Sequence, residues 1–112
     1  MKTESFNHAG IEYSIKIGKN ANENTEIVKN ACESDIWFHV SDSPSCHVIL
    51  ENTIKLNLIP HQVVKRCAYL CKINSSAKSL SKCSIIYTTI VNVQPTTIPG
   101  QVITNNCKTI CV

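Results

Sequence analysis

Two apolar runs, Asp35-Ile36-Trp37-Phe38-His39-Val40 and Cys46-His47-Val48-Ile49-Leu50, flank the five residues Ser41-Asp42-Ser43-Pro44-Ser45. Strand-forming runs joined by so short a turn-rich loop pair antiparallel. Setting Val40 opposite Cys46 puts Phe38 opposite Val48 and Ile36 opposite Leu50, with all six side chains in the core. The same register places Trp37, His39, His47 and Ile49 on the other face. The two histidines then stand directly opposite, with Cβ atoms about 5 Å apart.

The rest of the chain organises around this pair. Glu4–His8 and Ile11–Ile17 alternate apolar and polar residues across Ala9-Gly10, as a half-buried hairpin does. Gly18 ends that strand, and the Asn-rich stretch from Asn20 supplies N-caps for a helix to about Cys32, with Ile27, Val28, Ala31 and Cys32 buried. Pro60 suits the first turn of a second helix ending near Asn74. Val63, Val64, Cys67, Ala68, Leu70 and Cys71 form its core side, while His61, Gln62, Lys65, Arg66, Tyr69 and Lys72 face outward. A Ser/Lys loop to Lys82 leads into a buried strand, Cys83–Val91, and then into a terminal hairpin whose arms, Gln101–Thr104 and Lys108–Val112, flank Asn105-Asn106. The order ββ-α-ββ-α-βββ implies an α+β domain with a mostly antiparallel sheet and about two helices.

At 112 residues, 43% hydrophobic and 17% charged, the chain suits one compact domain over residues 1–112. It has no apolar run long enough for a membrane helix, and Met1-Lys2-Thr3-Glu4-Ser5 lacks the apolar stretch of a secretory signal, so no membrane role is expected. The seven cysteines are odd in number and include no Cys-x-x-Cys pair. They are expected to be reduced thiols, with Cys32, Cys46, Cys67 and Cys71 on core faces. Cys107 and Cys111 share a strand face but are too far apart to close a ring.

Phosphate-cradle, dinucleotide, zincin and nucleophile-elbow motifs are absent, which argues against an enzyme. His39 and His47 could together ligate a metal or exchange protons, but a zinc site needs a third ligand, and Asp35 and Cys46 point elsewhere in this register. No metal or other cofactor is expected. Asp35 fits a turn or cap better than a catalytic carboxylate. The formal charge of +3 is modest, so what matters is whether the cations gather. Lys65, Arg66 and Lys72 on the second helix, Lys78 and Lys82 beyond it, and Lys16 and Lys19 near the first helix form the candidate cationic surface. Tyr69 and Trp37 offer ring faces on which unpaired bases could stack.

The segment Asp35–Val40 followed by Pro44–Leu50 resembles the NFACT-R domain, the RNA-binding module of the ribosome quality-control NFACT proteins. Gly18-Lys19 with Asn24 resembles the family's Gly-(Lys/Arg)-x-x-x-x-Asn pattern before its first helix. Cys67-Ala68-Tyr69-Leu70 with Asn74-Ser75, Ile85-Ile86-Tyr87-Thr88, and Pro99-Gly100-Gln101-Val102 through Lys108–Val112 resemble its later elements in order. The likeness is to the stand-alone, coiled-coil-containing members, whose charged helical tail is expected to be missing. Two departures stand out. The family's Pro-Gly-Ser-His turn is Pro44-Ser45-Cys46-His47 here, which predicts a differently shaped hairpin tip. The basic stretch after Tyr-Thr is Ile90-Val91-Asn92-Val93-Gln94, without a cation.

The resemblance implies a non-enzymatic nucleic-acid-binding module for RNA (tRNA, rRNA or single-stranded RNA), with DNA as a further candidate, linked to translation or ribosome quality control. Lys19, Lys65, Arg66, Lys72, Lys78 and Lys82 are expected to contact phosphates, with Trp37, His39, His47 and Tyr69 adding stacking or hydrogen bonds. Docking on a ribosome-associated protein is the alternative, and a metal-dependent enzyme centred on His39 and His47 the remaining one. A reducing, cytoplasmic location follows, in a host's cytoplasm if the Ile-, Asn- and Lys-rich composition reflects a viral genome.

Overall fold

The computed structural model describes residues 1–41 and 43–112; Asp42, placed above in the loop between the central runs, lies outside them. The first hairpin joins β1 (Lys2–His8) to β2 (Ile11–Ile17), and its ladder runs from Lys2 opposite Ile17 to His8 opposite Ile11. Only Ala9 and Gly10 remain to turn the chain. Both take positive φ, 51° and 80°, as two-residue hairpin turns of matching twist require.

Helix α1 (Ala21–Asn30) starts at Asn20, whose side chain accepts a hydrogen bond from the Glu23 N–H at 2.9 Å. It ends two residues before Cys32, because Asp35 organises a turn there. The Asp35 carboxylate accepts from the Cys32 N–H at 2.9 Å and the Asn52 N–H at 3.0 Å, and the Asp35 N–H donates to the Cys32 carbonyl. Asp35 is thus the turn residue its position suggested. Cys32 leaves the buried stripe and is exposed.

Strands β3 (Ile36–Val40) and β4 (Val48–Leu50) pair in the expected register, with Ile36 opposite Leu50 and Phe38 opposite Val48. β4 is shorter than its apolar run. The His47 N–H turns aside to Asn24 Oδ1 at 3.0 Å, and its carbonyl accepts from the Gly18 N–H at 3.0 Å. At the hairpin tip, Ser45 Oγ accepts from the Val40 N–H at 3.1 Å and donates to the Cys46 carbonyl. Ser45 is not among the positive-φ residues, so the missing glycine demands no special backbone at this position.

Helix α2 (His61–Ile73) buries all six residues expected on its core side. A short 3-10 turn, Ser76–Ser79, interrupts the Ser/Lys loop before β5 (Ser84–Thr89). The terminal hairpin does not form. An unanticipated strand, β6 (Val93–Pro95), pairs with β7 (Val102–Thr104), while β8 (Lys108–Cys111) pairs with β5. Asn105 and Asn106 make a corner between the two. Their carbonyls accept from Thr88 Oγ1, and the Asn105 N–H donates to the Asn92 carbonyl, so β7 and β8 diverge to different partners.

Six strands form one antiparallel sheet, ordered β1-β2-β4-β3-β5-β8, with β6 and β7 as a separate ribbon. α2 covers one face, packing Val63, Cys67, Leu70 and Cys71 on Ile15, Ile36, Phe38, Val48 and Ile85. α1 and the ribbon cover part of the other, where Ile27, Val28, Ile90 and Val93 meet Trp37 and Ile49. Each such fully buried side chain contributes about 1.5–3 kcal/mol by leaving water. The fold is α+β, mostly antiparallel, with two helices. Among the described residues no helix is long and apolar enough to cross a membrane. Cys46, Cys67, Cys71 and Cys83 are buried and Cys107 and Cys111 exposed; burial pushes the Cys67 thiol up, so it packs as a neutral group.

Candidate nucleic-acid interface

The core spacing of α2 decides which of its polar side chains can meet. With residues 63, 64, 67, 68, 70 and 71 turned inward, Lys65 and Tyr69 share the outer surface one helical turn apart, with Arg66 beside them. β8 at the sheet edge lies alongside, and the two elements bound an open groove of about 420 Å³. Lys65, Arg66, Tyr69, Lys72, Lys82 and Phe6 line it. Tyr69 is 45% exposed, and the Arg66 guanidinium lies 5.9 Å from its ring centroid. Glu4 of β1 holds that guanidinium from behind, with Oε2 3.5 Å from Arg66 Nη2. Neither Phe6 nor Glu4 stood out in the sequence, because only the folded hairpin brings β1 to this groove.

Lys72 corrects the expected outer side of α2. It is buried, and its Nζ donates to the Val112 carbonyl at 3.2 Å, so its charge tethers the end of β8 to the helix. Lys78 is exposed in the 3-10 turn and does not line the groove. From Pro60 to Val112 the chain carries six cations and neither Asp nor Glu, whereas residues 1–59 carry five cations and eight carboxylates. The groove draws its cations from the half without carboxylates.

The remaining candidates gather elsewhere. Trp37, His39 and His47 lie on the sheet face opposite α2, and Lys19 joins His39 along a groove there. Trp37 is 1% exposed, so it offers no ring face for a base to stack on; it orders the histidines instead. Its indole N–H donates to His47 Nδ1 at 3.1 Å, and the His39 ring lies flat on it, with centroids 5.5 Å apart and planes at 11°. The two imidazoles meet edge to face at 5.0 Å.

The histidines are not equivalent. The indole is only a donor, so His47 Nδ1 is an acceptor and the neutral ring carries its proton on Nε2. Burial first, and then the charge of His39, pull the His47 pKa down to about 4, while a hydrogen bond to the Gly100 backbone works the other way. His39 Nδ1 sits 2.7 Å from the Val40 carbonyl, which can only accept, so this nitrogen bears the proton. Burial also lowers the His39 pKa, partly offset by that bond. Two neutral imidazoles result, with His47 Nδ1 taken by the indole and its Nε2 protonated, and with no hydrogen-bond donor among the described residues meeting His39 Nε2. One free nitrogen is a poor start for a metal centre, and no group of three His, Cys, Asp or Glu side chains among the described residues is placed to hold an ion.

Asn24 anchors this face and entered the sequence reading only as the last member of the Gly18-Lys19…Asn24 pattern. A side chain on Gly18 would collide with Asn24 Oδ1, the atom that receives the His47 N–H. The pattern thus has a steric cause.

The NFACT protein RNA binding domain family matches residues 2–107. Coiled-coil domain-containing protein 25 of Mus musculus is 36% identical over 87 residues, which cover 75% of this chain and 42% of that protein. Its homolog in Dictyostelium discoideum is 35% identical over 101 residues, or 85% of this chain and 48% of that protein. The chain therefore spans about half the length of these curated relatives. The structure of the C-terminal of the fibronectin/fibrinogen-binding protein from Streptococcus suis covers the whole chain, and 45% of that protein's chain, with a TM-score of 0.86 at 24% identity, a likeness of fold. On the strength of the match from the first strand almost to the last, this chain belongs to the NFACT RNA-binding domain family.

Proposed function

We propose that this nucleic-acid-binding module takes RNA, either single-stranded or the exposed loops of tRNA or rRNA, along the α2 groove, without catalysis, in translation or ribosome quality control in a reducing cytoplasm. The observation that carries the proposal is the convergence of Lys65, Arg66 and Lys82 around the exposed ring of Tyr69. Lys65 and Lys82 would contact phosphates, Arg66 and Tyr69 would present a stacking platform, and Lys78 would extend the phosphate track. Lys19, His39 and His47 lie outside this groove.

Fluorescence anisotropy with tRNA and a short single-stranded RNA tests the proposal, with a DNA strand as competitor. With three or four phosphates neutralised, log K should fall against log salt with a slope of about −2 to −3. Lys65→Glu with Lys82→Glu should flatten that slope and weaken binding at least tenfold, by roughly 1.4 kcal/mol or more. Absence of binding at ~50 mM salt, or an unchanged slope in the double variant, would overturn it. Capture of a ribosome-associated protein that survives RNase would instead assign the groove to an acidic protein surface.

A further inference from the structure

We propose that the histidine face is a second, separate site that holds one unpaired nucleotide, with its base against His39 and its phosphate toward Lys19. The site shares with the α2 groove only the premise that the ligand is RNA; its residues are different.

Two open grooves, of about 560 and 440 Å³, share His39, Pro44 and Gly100 and so form one trough. It runs from Val102 and Thr104 of the ribbon to Lys19 before α1, and it is roomy enough for a nucleotide. No carboxylate among the described residues lines it, and Lys19 is its only Lys or Arg among them. A ligand that is mostly uncharged and planar, with one anionic end, matches that distribution.

The polar groups define the ligand further. His39 is neutral, lies flat on a buried indole, and has its Nδ1 proton committed to the Val40 carbonyl, which leaves Nε2 as a fixed acceptor. Gln101 lines the same groove; its Oε1 accepts from Thr96 Oγ1 at 2.9 Å, which leaves the amide N–H groups as donors. An acceptor and a donor that titration does not disturb near neutrality are what the hydrogen-bonding edge of a nucleobase requires. Pro44, Ile86 and Val102 supply apolar surface for the base's faces. His47 borders the groove but is only 1% exposed, so it acts through His39. Held by its bond to the Trp37 indole, it packs edge-on against His39 and sets that ring's position.

The test is an NMR titration of the intact chain with uridine and adenosine 5′-monophosphates at millimolar concentration, and then with a short single-stranded RNA. The His39 imidazole, the Trp37 indole and the Gly100 and Gln101 amides report on the trough, and the Lys65 and Tyr69 amides report on the α2 groove. The trough signals should shift with RNA, and they should still shift in Lys65→Glu/Lys82→Glu. Shifts with mononucleotides as well support a pocket open to free nucleotides, and shifts with RNA alone support a strand-bound nucleotide. His39→Phe keeps a ring on Trp37 but removes the acceptor, and it should weaken trough binding about tenfold, the worth of one well-placed hydrogen bond. Gln101→Ala, at an exposed position, should weaken it without risk to the fold. Trough signals that stay fixed at saturating RNA overturn the site even if the α2 signals move. Trough shifts without α2 shifts uphold this site and overturn the groove proposed above.

Discussion

His47 is the single residue on which the fold depends most visibly for its response to acid. It is 1% exposed, with one nitrogen bonded to Trp37, and its folded-state pKa lies at about 4 against 6.5 for the free side chain. Between those values the unfolded chain takes up a proton that the folded chain refuses. The stability contributed by the neutral ring is therefore complete above pH 6.5, declines as pH falls toward 4, and levels off below that. At about 1.4 kcal/mol for each tenfold change in proton affinity, the full loss is on the order of 3 kcal/mol, a large share of the roughly 5–15 kcal/mol typical of a domain. His39, also lowered by burial, adds to the decline in the same direction. Glu23, whose pKa is lowered by its bonds to the chain's N-terminal ammonium and the Lys19 N–H, releases its share only below 4.5, so the His47 window is largely separate. Urea midpoints measured from pH 7 to 4 should fall steadily, and His47→Gln, which has no proton to gain, should show a flatter acid limb from a lower starting stability. A wild-type midpoint that stays level across this window would remove His47 from the account.

Among the elements, the β6–β7 ribbon meets α1 through a close approach at Gly100. Gly100 sits just before β7 at φ +80°, and its N–H donates to Thr25 Oγ1 of α1 at 2.6 Å. A Cβ at Gly100 would lie 3.1 Å from both the Cα and Cβ of Ala21. Gly100→Ala should therefore cost about 1–2 kcal/mol from the backbone conformation alone, and more from the collision. In hydrogen exchange the ribbon amides should lose protection while those of β3 and β5 keep theirs; equal loss throughout would show that the ribbon and sheet unfold together. The ribbon also marks where the sequence stopped being readable. α2 was legible because its apolar residues recur on one helical face, and β3 with β4 because a one-residue slip would have put Phe38 and Val48 on the wrong side. The last hairpin misled because strand pairing depends on which edges are already free. β5 offered its edge to β8 and β6 offered its own to β7, and neither open edge is written in the local pattern of Asn105-Asn106. Cys32 and Lys72 were misplaced for a related reason, since a helix end and a sheet edge are set by partners distant in sequence, Asp35 with Asn52 in one case and Val112 in the other.

Over the whole molecule, the division of charge matters more than its total. A net +3 spread evenly over a body of 39 × 32 × 26 Å would attract RNA weakly from every side. Instead the cations of the carboxylate-free half gather around α2, while the carboxylates belong to the first half, several of them around α1, and β1 brings Glu4 to the groove, where it pairs with Arg66. Screening at physiological salt reaches only about 8 Å, so charges across the sheet from the groove hardly act on a phosphate within it. The outward positions of α2 and Lys82 were readable as part of this surface; Phe6 was not, because only the folded β1 edge brings it alongside the helix. A charge-neutral exchange separates local from total charge. Lys65→Glu removes a groove cation, and Glu33→Lys, at an exposed position in the turn after α1, restores the net charge on the far side. If the α2 groove binds RNA, the double variant should bind as weakly as Lys65→Glu alone and show the same reduced salt slope, while Glu33→Lys alone should change affinity less than threefold, or by under about 0.7 kcal/mol. Affinity restored to the wild-type value in the double variant would mean that net charge governs binding, and the groove would lose its claim to be the site.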